Sequence, residues 1–150
     1  MVRRGEPADA EAIGRLLHDF NLEYEDFTPG PDKIAARVLE LLAGEDTVVL
    51  LAGDPPHGLA VMRFRASIWI EARECYLAEL YVVPDKRGAG IGRALMDEVM
   101  RIARDEGAGH IELNTSEDDV AARALYEKLG FTNREGKPDG PLMYYYEREL

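Results

Sequence analysis

The sequence predicts a mixed α/β fold in which helices flank a single central β-sheet. Residues 76–83 form a β-branched, aromatic and aliphatic run that is typical of a strand. A glycine-rich turn and a helix with apolar residues at helical spacing follow this strand directly. Strand-like runs and amphipathic helical patterns fill the rest of the chain, and no repeat or linker interrupts them. We therefore expect one domain over residues 1–150.

Two helices are expected near the start of the chain, after a short strand at residues 2–4. Pro7 and Asp9 favour a helix start, because proline suits the first turn and an acidic group is stabilised at the positive end of a helix. The apolar residues at 13, 16, 17 and 20 then share one helical face. A second helix follows Asp32, after a loop that contains two prolines and a glycine.

The middle of the chain has the pattern of an antiparallel meander. Residues 47–52 and 59–64 are strongly apolar and predict two strands joined by a short turn. Trp69 and Ile70 are expected to begin the return toward the strand at 76–83. Pro84 ends that strand, because proline has no N–H group with which to continue a ladder.

After the glycine-rich turn, the sequence predicts a helix, a strand, a second helix and two final strands. Residues 91–102 carry apolar side chains at helical spacing, and residues 116–119 have the spacing of a capping box ahead of the last helix. The predicted strands of this half are 110–115, 131–133 and 142–146. The complete predicted order is β-α-α-β-β-β-α-β-α-β-β.

The turn before the helix at residue 91 has the features of an anion-binding loop. The first N–H groups of a helix have no partner inside the helix and lie at the positive end of its dipole. Glycines at 88, 90 and 92 let a ligand approach the main chain, and Arg87 adds a positive charge. The alternative is a glycine-rich connection without a ligand. The spacing fits neither a P-loop nor the G-x-G-x-x-G dinucleotide motif.

The pattern that does fit is Arg87-x-x-Gly90-x-Gly92, which resembles the pyrophosphate loop of the GNAT superfamily of N-acetyltransferases. A second segment, residues 122–131 with the sequence ARALYEKLGF, is similar to another motif of that family, A-x-x-L-Y-x-K-x-G-F. The two motifs share no residues and stand in the family's order. The resemblance implies acetyl transfer from acetyl-CoA to a primary amine, on a mixed, mostly antiparallel central sheet flanked by helices.

The resemblance also implies positions for the co-substrate acetyl-CoA. Its pantetheine arm would pair with the main chain of the central strand, where the family has a β-bulge. Its pyrophosphate would meet the N–H groups of the glycine loop. The expected cofactor-binding residues are Leu80, Val82, Arg87, Gly88, Gly90, Ile91, Gly92, Arg93 and Asp119. Asp119 stands where relatives usually have asparagine, so it either contacts the cofactor arm or only caps its helix.

Two residues are expected to handle protons. Tyr126 matches the family's tyrosine that protonates the leaving thiolate, and packing of its helix onto the sheet is the structural alternative. Glu79 is the candidate base that deprotonates the amine. The family's glutamate positions fall on Ala78 and Tyr76, so strand alternation turns Glu79 to the opposite face unless the bulge shifts it. A water chain, or an acid from the loop at residues 23–26, would serve instead.

The charge and composition of the chain restrict the classes of molecule that it is expected to bind. The formal net charge of −11 argues against nucleic acid, and it is compatible with a cationic substrate or with solubility alone. Substrate contacts are expected from Tyr24, Glu25 and Tyr76, and no metal is expected. No apolar run has membrane-spanning length, the N-terminal residues lack the apolar core of a secretory signal, and Cys75 is the only cysteine. The expected location is the cytoplasm without a membrane partner, and a homodimer is one expected assembly.

Three functions remain open. The first is acetylation of a small cationic amine such as a polyamine, diamine or aminoglycoside. The second is acetylation of a protein N-terminus or lysine. The third is a non-catalytic acetyl-CoA-binding sensor, which is favoured only by the absence of a glutamate at the family's base positions on the central strand.

Overall fold

The computed structural model describes all 150 residues, which divide into two compact units, Met1–Leu113 and Asn114–Leu150. The first unit contains a five-stranded sheet with helices on both faces. Its elements in chain order are β1 (Val2–Arg4), a 3-10 turn (Pro7–Asp9), α1 (Ala10–Glu23), α2 (Pro31–Leu42), β2 (Thr47–Ala52), β3 (Gly58–Ala66), β4 (Arg73–Val82), a second 3-10 turn (Pro84–Lys86), α3 (Ile91–Asp105) and β5 (Ile111–Leu113).

The sheet confirms the predicted fold class. Strands β1 to β4 pair antiparallel in sequence order, and β5 joins the far side of β4 in parallel. The connection through α3 makes this parallel pairing possible, because a parallel neighbour needs a crossover rather than a hairpin. The sheet is therefore mixed and mostly antiparallel.

Two apolar layers hold the helices to the sheet. On one face, residues of α1 and α2 pack against alternate residues of the strands, namely Ala10, Ile13, Leu16 and Val38 against Val49, Leu51, Leu59, Val61 and Tyr81. On the other face, α3 buries Leu95, Met96, Val99 and Ile102, and Gly58 of β3 lies against Ile91 and Leu95. Side chains alternate along a strand, so both faces of the sheet are apolar and covered.

The return strand begins later than the sequence predicts. Trp69 and Ile70 lie in the β3–β4 loop, where 87% and 55% of their surfaces are exposed, and β4 starts at Arg73. The Ser67 N–H donates to the Ala72 carbonyl at 2.9 Å, and this bond closes the loop just before the strand. The apolar character of Trp69 and Ile70 suggested a strand, but the loop leaves both side chains in solvent.

The second unit contains α4 (Val120–Lys128) and a polar turn. The predicted strands at 131–133 and 142–146 do not form, and a single antiparallel bridge between Arg134 and Leu142 stands in their place. Bonds from the Glu135 N–H to the Pro141 carbonyl and from the Met143 N–H to the Asn133 carbonyl flank this bridge. Pro141 has no N–H, so it cannot return a bond and the ladder stays short.

No helix in the structure combines the length and the hydrophobicity needed to cross a membrane. That residues 1–150 fold as one domain stays a prediction.

Candidate active site

The turn after β4 delivers an uncapped helix N-terminus. Gly88 and Gly90 have φ angles of +80° and +83°, in the left-handed region that favours glycine. A Cβ at either position would meet no atom within 4 Å, so the space beside the loop is open. Helix α3 begins at Ile91 without a side-chain cap or an acidic residue in its first turn, and its first bond runs from the Ala94 N–H to the Gly90 carbonyl. The N–H groups of residues 91–93 can therefore donate to an anion.

Strand β4 has an open edge next to this loop. β5 pairs only with residues 75–77 of β4 and leaves residues 78–82 unpaired on that side. The Val83 N–H donates to the His57 carbonyl at 2.9 Å, so the peptide groups of Val83 face β3. Because these groups alternate along an antiparallel pair, those of Leu80 and Val82 point to the open edge. The predicted pairing with a pantetheine arm requires main-chain groups that point to this open edge.

A β-bulge in β4 reverses the side chain of Glu79. Val61 pairs with Glu79 and Met62 pairs with Leu77, so Ala78 is an extra residue with no partner on β3. Residues directly opposite each other share a face, so Glu79 lies on the face of Val61 and Tyr81, which is covered by α1 and α2. In a regular strand Glu79 would share the face of Leu77, beneath α3. The bulge thus turns the side chain of Glu79 to the other face of the sheet, which is the condition under which Glu79 is a candidate base.

The carboxyl group of Glu79 on this face is affected by burial and by a neighbouring acidic residue. Burial raises the pKa of the partly buried Glu79, and the negative charge of Asp26 raises it further. Asp26 belongs to the α1–α2 loop, residues 24–30. Tyr76 pairs with Arg63 before the bulge and so lies on the same face as Glu79. A face that holds two acidic groups, one with a raised pKa, suits a cationic ligand that must lose a proton.

The other predicted substrate contacts lie at the start of this loop. Tyr24 packs edge-on against Phe20 with a centroid distance of 5.3 Å, and Phe20 stacks on Tyr81 at 4.9 Å. Glu25 has a φ angle of +56° and is exposed. The aromatic stack therefore fixes the end of α1 to β4 and sets where the loop begins.

Arg87 of the glycine loop and Arg93 in the first turn of α3 are both ion-paired. Arg87 donates from Nη1 and Nη2 to the two carboxylate oxygens of Glu23, each at 2.8 Å, and from Nε to the Val82 carbonyl at 2.9 Å. Arg93 donates from Nε to Asp97 at 3.1 Å, one helical turn further on. The i,i+4 spacing could have revealed the second pair. Glu23 and Arg87 stand 64 positions apart, and no local pattern predicts their contact.

The second unit contains the remaining predicted residues, Tyr126 and Asp119. Tyr126 is 8% exposed, and its ring packs edge-on against Phe131 at 6.0 Å. Burial, and to a lesser degree the charge of Asp119, raises the pKa of Tyr126 to about 12. Asp119 caps α4, since its Oδ1 accepts a bond from the Ala122 N–H at 3.3 Å. The cap is the alternative that the structure contains, and contact of Asp119 with a cofactor stays a prediction.

No cluster of three or more His, Cys, Asp or Glu side chains is arranged to hold a metal ion. Cys75 is buried, and burial raises the pKa of its thiol to about 11, so the thiolate form is scarce at neutral pH.

Known acetyltransferases resemble part or all of this chain. The acetyltransferase (GNAT) family profile matches residues 14–131. The thialysine N-epsilon-acetyltransferase of Bos taurus is 30% identical over 143 residues, which cover 87% of this chain and 82% of that protein. A mycothiol acetyltransferase of Beutenbergia cavernae is 39% identical over 70 residues, which cover 45% of this chain but only 24% of that protein. A crystal structure from Arthrobacter sp. FB24, provisionally named an acetyltransferase, superposes with a TM-score of 0.91 and 47% identity, covering 100% of this chain and 96% of its own.

Proposed function

This chain belongs to the acetyltransferase (GNAT) family, and from that premise we propose that it moves acetyl from acetyl-CoA directly to the primary amine of a small cationic molecule. Polyamines, diamines and aminoglycosides are the substrate classes that we favour. The observation that carries the proposal is the bulge in β4, which turns the partly buried Glu79 toward Asp26 and away from the α3 face.

The main chain around the open edge fits acetyl-CoA as co-substrate. The glycine loop offers main-chain N–H donors at an uncapped helix start, and open space lies beside Gly88 and Gly90. The peptide groups of Leu80 and the N–H of Val82 point to an edge with no neighbouring strand in the first unit. An extended amide-bearing arm needs donors and acceptors of this kind. When bound, acetyl-CoA would supply the activated acetyl group as a thioester.

Glu79 has the properties of a base for this reaction. An amine is mostly protonated at neutral pH and must lose a proton before it can attack. A carboxylate whose pKa is raised by burial and by a neighbouring negative charge accepts that proton more readily than an exposed one. Asp26 would also attract the cationic substrate to the same face.

Tyr126 is proposed as the acid that returns a proton to the leaving thiolate. Its assignment comes from the match to the family motif. Burial holds the pKa of its hydroxyl at about 12, so the group stays protonated throughout the physiological range and remains able to donate. Phe131 fixes the plane of its ring.

The substrate class rests on charge. The α1–α2 loop and the end of α1 contribute Glu23, Glu25 and Asp26, and the chain carries 29 acidic against 18 basic residues. Glu23 is already paired with Arg87, so Asp26 and Glu79 are the acidic groups that we assign to the amine.

Calorimetry and thiol release together test the proposal. The chain is titrated with acetyl-CoA, and NAD and ATP serve as matched nucleotide controls. Free thiol is then followed with spermidine, putrescine, thialysine and kanamycin, alongside a peptide bearing a free N-terminus and a lysine. We expect acetyl-CoA alone to bind and a small amine to release thiol fastest. Fastest release with the peptide would move the substrate class to proteins, and binding without any release would support a sensor.

A further inference from the structure

The guanidinium group of Arg87 makes three hydrogen bonds within the protein. Each of its three nitrogens donates a bond, two to Glu23 and one to the Val82 carbonyl. Its Cζ also lies 5.7 Å from the centroid of the Tyr81 ring. Three of its five N–H donors are used in these bonds, and its planar fork is directed at a carboxylate.

The pair joins two segments that the proposed function assigns to different substrates. Glu23 is the last residue of α1, directly before the α1–α2 loop (residues 24–30), and Arg87 begins the glycine loop. The aromatic stack of Phe20 on Tyr81 lies beside the pair. The side chains of Arg87 and Glu23 are 41% and 28% exposed, and both carboxylate oxygens are used, which makes the contact stronger than a single-bond surface pair.

We propose that Glu23 is a positioning residue, and that Arg87 acts through it to hold the α1–α2 loop against the end of β4 rather than binding phosphate. The inference rests on the proposed function, because it presumes an amine on the side of that loop. It assigns the phosphate contacts to main-chain N–H groups of the glycine loop alone. Loss of either partner then frees the loop and weakens the amine site while the CoA site is retained.

The opposite arrangement makes a different prediction. If Arg87 left Glu23 to bind phosphate, Glu23 would compete with the co-substrate. Removing Glu23 would then tighten CoA binding, and removing Arg87 would weaken it strongly. The two arrangements therefore differ in the sign of the Glu23 effect.

The experiment uses the full chain with E23Q, R87Q and the double variant. CoA is the binding probe in calorimetry, and amide hydrogen exchange is followed in residues 22–30. The KM of the most active amine of the panel is measured beside that of acetyl-CoA. E98Q and R101Q are the matched controls, since that arginine–glutamate pair on α3 also uses both carboxylate oxygens.

We expect the Kd of CoA to stay within about threefold of wild type in every variant. Exchange in residues 22–30 and the amine KM should each rise about tenfold in E23Q and R87Q, with no further rise in the double variant, because one contact is lost only once. The controls should change neither quantity. Tighter CoA binding in E23Q, or a loss of tenfold or more in R87Q, would overturn the inference. Failure of the wild-type chain to bind CoA would instead overturn the proposed function, and the inference with it.

Discussion

Replacing Glu79 by glutamine tests the proposed base directly. Glutamine keeps the size of the side chain, but its amide cannot take a proton from an ammonium group. A positioned general base contributes about 10²–10⁴-fold to rate. Because burial and Asp26 raise the pKa of Glu79, it is a better base than an exposed glutamate. Since water can serve partly in its place, we expect kcat/KM for the most active amine to fall about 10²–10³-fold, or about 3–4 kcal/mol of transition-state stabilisation.

The same substitution should stabilise the fold. A carboxyl whose pKa is higher in the folded than in the unfolded chain binds its proton more tightly when folded. Its stabilising contribution is complete below the unfolded pKa and is lost as pH rises through the folded pKa. At alkaline pH the ionised Glu79 therefore lowers the free energy of unfolding. We expect the Tm of E79Q to exceed that of wild type at about pH 8, and the two values to converge at about pH 4.

The assay is thiol release between about pH 5 and pH 9, paired with thermal unfolding over the same range. Wild-type kcat/KM should fall on the acid side as Glu79 is protonated, and this acid limb should disappear in E79Q. E74Q is the control, because Glu74 lies on the same strand in an exposed pair with Arg65. Loss of the Glu74 carboxylate should change the free energy of unfolding by no more than about 1 kcal/mol and leave the acid limb in place. Retention of the limb and of most of the rate in E79Q would refute the assignment.

Three further predictions follow from single positions. Y126F keeps the packing on Phe131 but should lower kcat about 10–100-fold with unchanged CoA affinity. Because the pKa of Tyr126 is raised to about 12, the pH–rate profile of wild type should show no alkaline limb from this hydroxyl below about pH 11. An unchanged kcat of Y126F in stopped-flow or steady-state assays would exclude Tyr126 as the acid. G90A forces an alanine to a φ angle of +83°, which costs about 1–2 kcal/mol, so calorimetry should find CoA binding about tenfold weaker. G107A is the control, because Gly107 has a φ angle of +79° at the other end of α3, and this variant should bind CoA normally. G14A would place a Cβ 2.6 Å from the Pro31 carbonyl oxygen, so α1 and α2 would have to move apart. This movement should cost about 1–3 kcal/mol, which outweighs the gain of about 1 kcal/mol in helix propensity. Denaturant unfolding should therefore find G14A less stable than the control G44A, in which the nearest atom to the added Cβ is 3.6 Å away.

The local sequence gives the elements that depend on short-range chemistry. The run Thr47–Ala52 forms β2 with the predicted bounds, because a continuous apolar run suits a strand covered on both faces. The glycine loop and the start of α3 also follow from neighbouring residues alone, since proline ends the strand and glycine permits positive φ angles. Residues 142–146 have an equally strand-like composition, yet they form only the bridge at Leu142, because the preceding Pro141 has no N–H group with which to extend the ladder.

The fold class, the glycine loop and the family motifs could be predicted before the chain was folded. The loop and the motifs each lie within one short segment, and the fold class follows from the order of such segments along the chain. Three features of the site depend instead on how the chain packs: the direction of Glu79, the closeness of Asp26 that raises the pKa of Glu79, and the bond from Arg87 to Glu23. The bulge that turns Glu79 arises from the pairing register of β3 against β4. Register and ion pairs between distant segments are fixed when the chain packs against itself, so no local spacing records them.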